Sequence, residues 1–258
     1  MRIATWNVNS LKVRMPRVEE WIGYAKPDIL CLQETKLSDA AFPAMSFESL
    51  GYESVHHGLK QWNGVAILSR VGIKDVVNGF CEGIDPDVDT RLISATCGGI
   101  RVHSVYVPNG RSLDDDHYQY KLSWFDRLRQ HLDQTTDPAH PVVVCGDFNV
   151  APEDRDVWDI KKFKNSTHVS KPERDALARL EEWGLQDAFR LLRQEDELFT
   201  YWDYRAGDFH NHRGMRIDLV LLTKPLADSL TYTLIDRFAR KGKLPSDHAP
   251  LFVDVADE

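Results

Sequence analysis

Val142-Val143-Val144-Cys145-Gly146-Asp147-Phe148-Asn149 is a continuous apolar run closed by a glycine, then a carboxylate and an amide on either side of a phenylalanine. A run this short and this apolar reads as a strand buried on both faces, and the Gly-Asp pair reads as its end. The pattern recurs along the chain. Ile29-Leu30-Cys31-Leu32 runs into Gln33-Glu34-Thr35-Lys36, and residues 102–105 run into Tyr106-Val107-Pro108-Asn109-Gly110. Thr5-Trp6-Asn7-Val8-Asn9, Arg216-Ile217-Asp218 and Ser246-Asp247-His248 complete the set. A sheet protein that ends strand after strand in carboxylates, amides, a tyrosine and a histidine gathers polar groups at one rim. Such groups have a use only where they converge on a ligand.

Strand candidates are residues 64–69, 92–96, 102–107, 142–145, 217–222 and 251–255, beside the runs at 3–6 and 29–32. Helices are fewer. Pro16 fits the first turn of a helix carrying Val18, Trp21, Ile22 and Ala25 on one face and closed before Pro27. A second runs over about 118–132 with Leu122, Phe125 and Leu128 on one face; a third follows Pro172 and stops at Gly184. Many strands with occasional helices predict two packed sheets with helices over their outer faces, not alternating βαβ units. Trp6-Asn7 and Phe148-Asn149, one in each half, hint at a duplicated half-domain.

The chain has 258 residues, a hydrophobic fraction of 42% and seven tryptophans, enough for a sizeable core. No linker or charge block divides it, so residues 1–258 read as one domain. A strand beginning almost at Met1 leaves no room for a targeting peptide, and no apolar run approaches the roughly 18 residues of a membrane span. The expectation is a cytoplasmic protein with no membrane partner. Cys31, Cys81, Cys97 and Cys145 show neither CxxC pairing nor zinc spacing, which suits a reducing compartment.

The net charge of −8 weighs against a nucleic-acid binder, since phosphate contacts need Lys and Arg. Distribution matters more than the sum. Lys161, Lys162 and Lys164 cluster in one stretch, and Arg237, Arg240, Lys241 and Lys243 in another just before Ser246; the ordinary reading of each is a solvated surface.

Residue by residue, two readings stand side by side. Glu34 is either an exposed strand-end charge or the single carboxylate that suits Mg²⁺, with Asn7 and Asn9 orienting that carboxylate or its waters. If the chain continues extended, Asp147 and Asn149 share a face and hold a water in line with phosphorus; otherwise they form a turn. His248 is either structural or a cation beside a phosphate, its tautomer set by Asp218. Tyr106 has the alternative of a core tyrosine. Metal-assisted phosphodiester hydrolysis is the chemistry the whole set suits.

The ordered motifs resemble the exonuclease III family of apurinic/apyrimidinic (AP) endonucleases, within the endonuclease/exonuclease/phosphatase superfamily. The similarity runs from Trp6-Asn7-Val8-Asn9 to Ser246-Asp247-His248. It includes Gly64-Val65-Ala66-Ile67-Leu68-Ser69, Phe199-Thr200-Tyr201-Trp202-Asp203-Tyr204-Arg205 and Gly214-Met215-Arg216-Ile217-Asp218. The resemblance implies an α/β fold, a four-layer α/β sandwich of two mostly antiparallel sheets flanked by helices. It implies Glu34 as principal Mg²⁺ ligand (Mn²⁺ as a substitute), with Asn7, Asn9 and Asp247 near the metal. It implies Asp147 and Asn149 at the attacking water, His248 with Asp218 and Tyr106 on the developing charge, and Asn109, Arg111 and Tyr201 on the substrate. Asn9 stands where some relatives carry Asp, and Tyr201 where relatives place Trp or Phe against the baseless sugar.

The expected activity is a Mg²⁺-dependent DNA repair nuclease, a monomer, cutting 5′ to abasic sites in duplex DNA and processing 3′ ends. The alternatives are a lipid or inositol phosphate hydrolase of the same superfamily and a non-catalytic DNA-binding protein.

Overall fold

Alternation along the central strands sorts their side chains into an inner core and two outer ones, and this sorting sets the layers. The computed structural model describes residues 1–256. Its strands are β1 (Arg2–Asn7), β2 (Ile29–Gln33), β3 (Glu53–His57), β4 (Val65–Ser69), β5 (Lys74–Asn78) and β6 (Leu92–Cys97). They continue with β7 (Ile100–Tyr106), β8 (Val142–Asp147), β9 (Leu185–Asp187), β10 (Asp218–Thr223), β11 (Leu230–Ile235) and β12 (Leu251–Val255). The α-helices are α1 (Leu11–Ala25), α2 (Ala44–Ser49), α3 (Asp116–Thr135), α4 (Lys171–Trp183), α5 (Ala188–Leu192) and α6 (Lys224–Ala227).

Two six-stranded sheets form, in the orders β11-β12-β1-β2-β4-β3 and β5-β6-β7-β8-β10-β9. Pairing is antiparallel except for β1–β2 and β7–β8, whose partners are joined through α1 and α3. Ile3, Ile29, Cys31 and Ile67 meet Ile93, Val102, Val143, Cys145 and Val220 between the sheets. Ala4, Trp6, Leu30 and Leu32 face outward onto Val18, Trp21 and Ile22 of α1. Val105, Val144 and Leu221 face outward onto Trp124, Phe125 and Leu128 of α3 and Leu177 and Leu180 of α4. Full burial of each such side chain contributes about 1.5–3 kcal/mol. The result is the four-layer α/β sandwich.

The four strands absent from the sequence reading, β3, β5, β9 and β11, are the four sheet edges. An edge strand is open to water along one side and needs no unbroken apolar run; β5 has no fully buried residue. Pro16 is also placed differently. It is the sixth residue of α1, not in its first turn, and it lies with Lys12 on the exposed face, where water serves the carbonyl that a proline leaves without a donor. In α3, Trp124 and Leu132 join Phe125 and Leu128 on the inward face, while Leu122 is only half-buried.

The duplication is real in topology but differs in its matching. The path β1-β2-β4-β3 repeats as β7-β8-β10-β9. Asn7 pairs in register with Gln33, and Tyr106 with Asp147, so the counterpart of Asn7 is Tyr106. Asn149 lies beyond the second strand of its pair.

Buried histidines make the fold acid-sensitive. His103 and His131 pack edge to face, 5.4 Å apart, between β7 and α3. His131 Nδ1 accepts from the Cys81 N–H at 3.0 Å, and the Nε2 atoms of both rings have no partner. Burial lowers both, His131 to about 4 and His103 well below its ordinary value, and His103 is lowered further by His131. The unfolded chain therefore takes up protons near pH 6.5 that the folded one refuses. Stability present above pH 6.5 is lost as pH falls toward 4. The urea midpoint should be lower at pH 5 than at pH 7.5, and paired His103→Gln and His131→Gln should flatten that difference; an undiminished slope in the pair contradicts the assignment.

Candidate active site

The inner faces of both sheets turn polar at the same end. On β1 the inward series Ile3, Thr5, Asn7 ends in an amide; on β8 the series Val143, Cys145, Asp147 ends in a carboxylate. Tyr106 and Asp218 occupy the corresponding inner positions of β7 and β10, and Asp218 is in register with Asp147. Just beneath them, Gln33 spans the sheets, accepting from Thr5 at 3.1 Å and donating to Ser104 at 3.2 Å. Beyond the strand ends, Val8, Ser10 and Leu11 N–H groups donate to the carbonyls of Gln33, Glu34 and Thr35. That ladder carries the two loops side by side.

Several of these loop residues sit in the left-handed region, Asn9 at φ 43°, Glu34 at 51° and Asn149 at 51°. Such backbone persists only where surrounding contacts enforce it, and it turns the side chain off the pleat direction. Glu34 is thereby aimed across the site. Its Oε1 accepts from Asn7 at 2.9 Å and its Oε2 pairs with Lys36 at 2.9 Å. The same Asn7 amide donates to Asp147 Oδ2 at 2.8 Å, while its oxygen accepts from the Asn9 N–H at 3.0 Å. Asn7 thus turns nitrogen, not oxygen, toward the carboxylates, which fits its expected role of orienting Glu34.

Asn9 donates to Asp247 at 3.0 Å, and its oxygen accepts from Lys36 at 2.6 Å. Asn9 and Asp247 therefore border the cluster as a pair. Lys36 lies between Glu34 and Asn9, and sequence reasoning gave it no role although it stands in the Gln33-Glu34-Thr35-Lys36 motif.

His248 Nδ1 meets Asp218 Oδ2 at 2.8 Å, and its Nε2 lies 3.9 Å from Asp147 Oδ2. Burial opposes charge on this ring, but the Asp218 carboxylate, with Asp147 and Asp247, raises it to about 10. Burial raises Asp147 to about 7; Asp218 and Glu34 add to the rise while His248 and Asn7 oppose it. Burial and the neighbouring Glu34 charge hold the Tyr106 hydroxyl well above the usual range, so it remains a donor. Glu34 is lowered against its burial by Lys36 and Asn7. Arg216 does not compete for Asp218: fully buried, it forms a fork with Asp156 at 2.7 and 3.0 Å and reaches Asp187 at 2.6 Å.

The expectation that Asp147 and Asn149 share a strand face is not met. The strand stops at Asp147, and Asn149 turns left-handed, so its N–H donates to Asp147 Oδ1 at 2.9 Å. Its side chain instead donates to the Val107 carbonyl at 2.9 Å and accepts from Asn109 at 3.2 Å. Asn109 and Arg111 stand exposed at the rim, Arg111 reaching only Asp115 at 3.8 Å. Tyr201 lies beside His248 with ring centroids 4.9 Å apart, while Trp202 is fully buried against Phe209.

Of the two basic stretches, Lys161, Lys162 and Lys164 are exposed, with Lys161 and Lys164 on a cleft of about 530 Å³. In the second, Arg240 is turned inward over Phe209 and donates to the Ser246 carbonyl, leaving Arg237, Lys241 and Lys243 outside. Two further site neighbours carry no sequence signal. Arg91 is buried over the Tyr106 ring at 4.7 Å, and His168 reaches the Asn149 carbonyl at 2.6 Å.

Ligand atoms of Glu34, Asp147 and His248 lie within 4.8 Å of one another. Two of the three are carboxylates, and the third, His248, is held as an imidazolium and so offers a metal no lone pair. This hard-oxygen set fits a divalent cation such as Mg²⁺ or Mn²⁺. The carboxylates of Glu34, Asp147 and Asp218 and the His248 imidazolium, held beneath a rim of amides, can with a bound cation hold a phosphate, position a water and stabilise added negative charge.

The endonuclease/exonuclease/phosphatase family profile matches residues 4–248. An exodeoxyribonuclease III of Haemophilus influenzae is 33% identical, covering 98% of this chain and 99% of its own. Among solved structures, an AP endonuclease from Archaeoglobus fulgidus superimposes with a TM-score of 0.96 at 40% identity over the whole of both chains. A 3′ phosphatase from Neisseria, bound to a product DNA hairpin, gives a TM-score of 0.96 at 39% identity, also over the whole of both.

Proposed function

The chain belongs to the endonuclease/exonuclease/phosphatase family, and on that premise we propose that it is a divalent-metal-dependent DNA repair nuclease. It hydrolyses phosphate esters of duplex DNA, cutting 5′ to abasic sites and processing 3′ ends. One observation carries this reading. A buried imidazolium, fixed by Asp218, faces Asp147 and Glu34 within 4.8 Å at the end of the paired sheets. Carboxylates packed this closely suit a divalent cation, and a bound cation together with the imidazolium suits a phosphate.

Glu34 would be the principal protein ligand for Mg²⁺, and the Asn7 amide bridges it to Asp147. The metal, when bound, supplies neutralisation of the phosphate charge. Asp147, raised to about 7, takes a proton from the attacking water as the new P–O bond forms and the bond from phosphorus to the 3′ oxygen breaks, that oxygen leaving to be protonated by solvent. His248 donates to the phosphate oxygen from Nε2, its Nδ1 proton held by Asp218. The Tyr106 hydroxyl donates to the same charge, and Asn109, oriented by Asn149, grips a non-bridging oxygen. The exposed lysines at 161, 162 and 164 attract the DNA backbone, so binding weakens with salt despite the net charge of −8.

The lipid-phosphate alternative loses support from the named relatives, an exodeoxyribonuclease III, an AP endonuclease and a 3′ phosphatase bound to DNA, each matched over essentially its whole length. The test uses three duplexes (abasic, 3′-phosphate and undamaged 3′-hydroxyl) and an inositol polyphosphate, each with Mg²⁺ and with EDTA. Mg²⁺-dependent cleavage of DNA alone is the expected result. Hydrolysis of the inositol phosphate alone, or no hydrolysis at all, rejects the reading.

Tyr201 is the expected wall for the baseless sugar. Its ring is half-exposed beside His248, whereas Trp202 belongs to the core. An intact base costs a few kcal/mol of unstacking to enter such a pocket, while a bare sugar does not. Tyr201→Ala should lower the ratio of abasic-site cleavage to 3′-exonuclease activity on matched duplexes. An unchanged ratio removes Tyr201 from the pocket.

A further inference from the structure

Behind the phosphate-binding rim lies a fully buried ion pair that the chemistry above does not use. Lys121 projects from α3 on the buried face it shares with Tyr118, Trp124, Phe125, Leu128, His131 and Leu132, and Lys121 and Glu173 of α4 both have no exposed side-chain surface. Lys121 Nζ donates to the Asn149 carbonyl at 2.7 Å, to the Asn109 carbonyl at 3.3 Å and to the Glu173 carboxylate. Glu173 in turn accepts from the Thr167 hydroxyl at 2.6 Å and the His168 N–H at 2.9 Å. The Thr167 hydroxyl also contacts the Asn109 carbonyl at 2.9 Å.

An ammonium has three donors and no acceptor, so here it fixes where its acceptors must stand, the Thr167 hydroxyl at 3.4 Å among them. Two of them are the carbonyls of the residues whose amides meet at the rim, Asn109 Nδ2 to Asn149 Oδ1 at 3.2 Å. Three segments, the one after β7 and the two ends of the connection between β8 and α4, thus share one fastening. Each contains a non-glycine residue in left-handed backbone, Arg111 at φ 57°, Asn149 at 51° and His168 at 77°, which does not persist without such support. Buried ion pairs are weak evidence for stability, because an apolar pair of similar volume commonly serves as well. What an apolar pair cannot do is aim two backbone carbonyls at one point.

We propose that Lys121, held by Glu173, is a positioning residue that sets the spacing and orientation of Asn109 and Asn149 toward the substrate phosphate. The proposal rests on the nuclease reading for its consequence, but its geometric half can be measured without catalysis. Misplacement of a substrate contact by about 1 Å reduces turnover by up to about 10².

The test is the double variant Lys121→Met with Glu173→Gln, which removes both charges and leaves neither ion unpaired. Wild type is first assayed on the 3′-phosphate and abasic duplexes; inactivity there rejects the nuclease reading, not this one. The expected result is a fold retained by circular dichroism, a kcat lowered about 10- to 100-fold with KM little changed, and faster hydrogen exchange at the amides of Asn109, Arg111 and Asn149. Adding Asn109→Ala should then cost much less than it does in wild type, because the amide is already misplaced. Unchanged exchange at those amides overturns the proposal whatever the enzyme hydrolyses, and so do strictly additive losses. Should the double variant not fold, Thr167→Val removes one hydroxyl from the same fastening. It should give a smaller loss with the same non-additivity, and additivity there also overturns the proposal.

Discussion

Glu34→Ala is expected to lower cleavage by about 10³ or more at a Mg²⁺ concentration that saturates the wild type, since a metal contributes several kcal/mol to the transition state. Glu34 is the carboxylate that the fold aims across the site from a left-handed position, and Lys36 and Asn7 keep it ionised. The substitution leaves Lys36 facing Asn9 without its carboxylate, so Glu34→Gln, which preserves the shape, should accompany it. DNA affinity measured in EDTA should fall little, because phosphate contacts come mainly from Lys, Arg and backbone N–H groups. Metal titration of each variant decides the matter. Wild-type cleavage by either at equal Mg²⁺ removes Glu34 from the metal, and a parallel loss of DNA affinity would make its role general.

Asp218→Asn should reduce kcat by about 10² to 10⁴ while leaving KM nearly unchanged. The carboxylate keeps the ring charged and fixes its Nδ1 proton at 2.8 Å. An amide of the same shape holds the ring but does not support its charge, and an N–H turned toward Nδ1 selects the wrong tautomer. The pH profile carries the distinguishing sign. In wild type the imidazolium persists until pH rises to about 10, so activity that depends on it is lost only there. In the variant that alkaline limb should move down toward the ordinary histidine value of about 6.5. A variant with normal kcat, or with an unmoved alkaline limb, assigns Asp218 a packing role. Arg216 does not explain such a result, because its partners are Asp156 and Asp187.

Much of the molecule is legible in the linear chain for a physical reason. Central strands are buried on both faces, so they favour apolar runs; β2, β4, β8 and β10 carry them nearly whole, while β7 keeps buried His103 and Ser104 between its valines. Where an inward-facing position at a strand end turns polar, as at Asn7, Asp147 and Asp218, the change from apolar to polar is itself a mark of the site, visible in the linear chain. The order of residues is therefore enough to determine that two sheets pack with helices outside them, and it names most of the residues that meet at one end. The edge strands are not legible, because half-solvated β3, β5, β9 and β11 look like any polar segment.

How the named residues serve is decided in three dimensions. Positive φ at Glu34 and Asn149 depends on loops held by distant backbone groups, so strand alternation misplaced Asn149. The direction of the Asn7 amide follows from which neighbours are acidic and which offer an N–H, and one of them, Asp147, is 140 residues away. Lys121 and Glu173 lie 52 residues apart on two helices, each an ordinary charge within its own stretch. Periodicity and propensity are local properties and can be read along a chain. Charge pairing, desolvation and the aim of a carbonyl depend on what burial brings together.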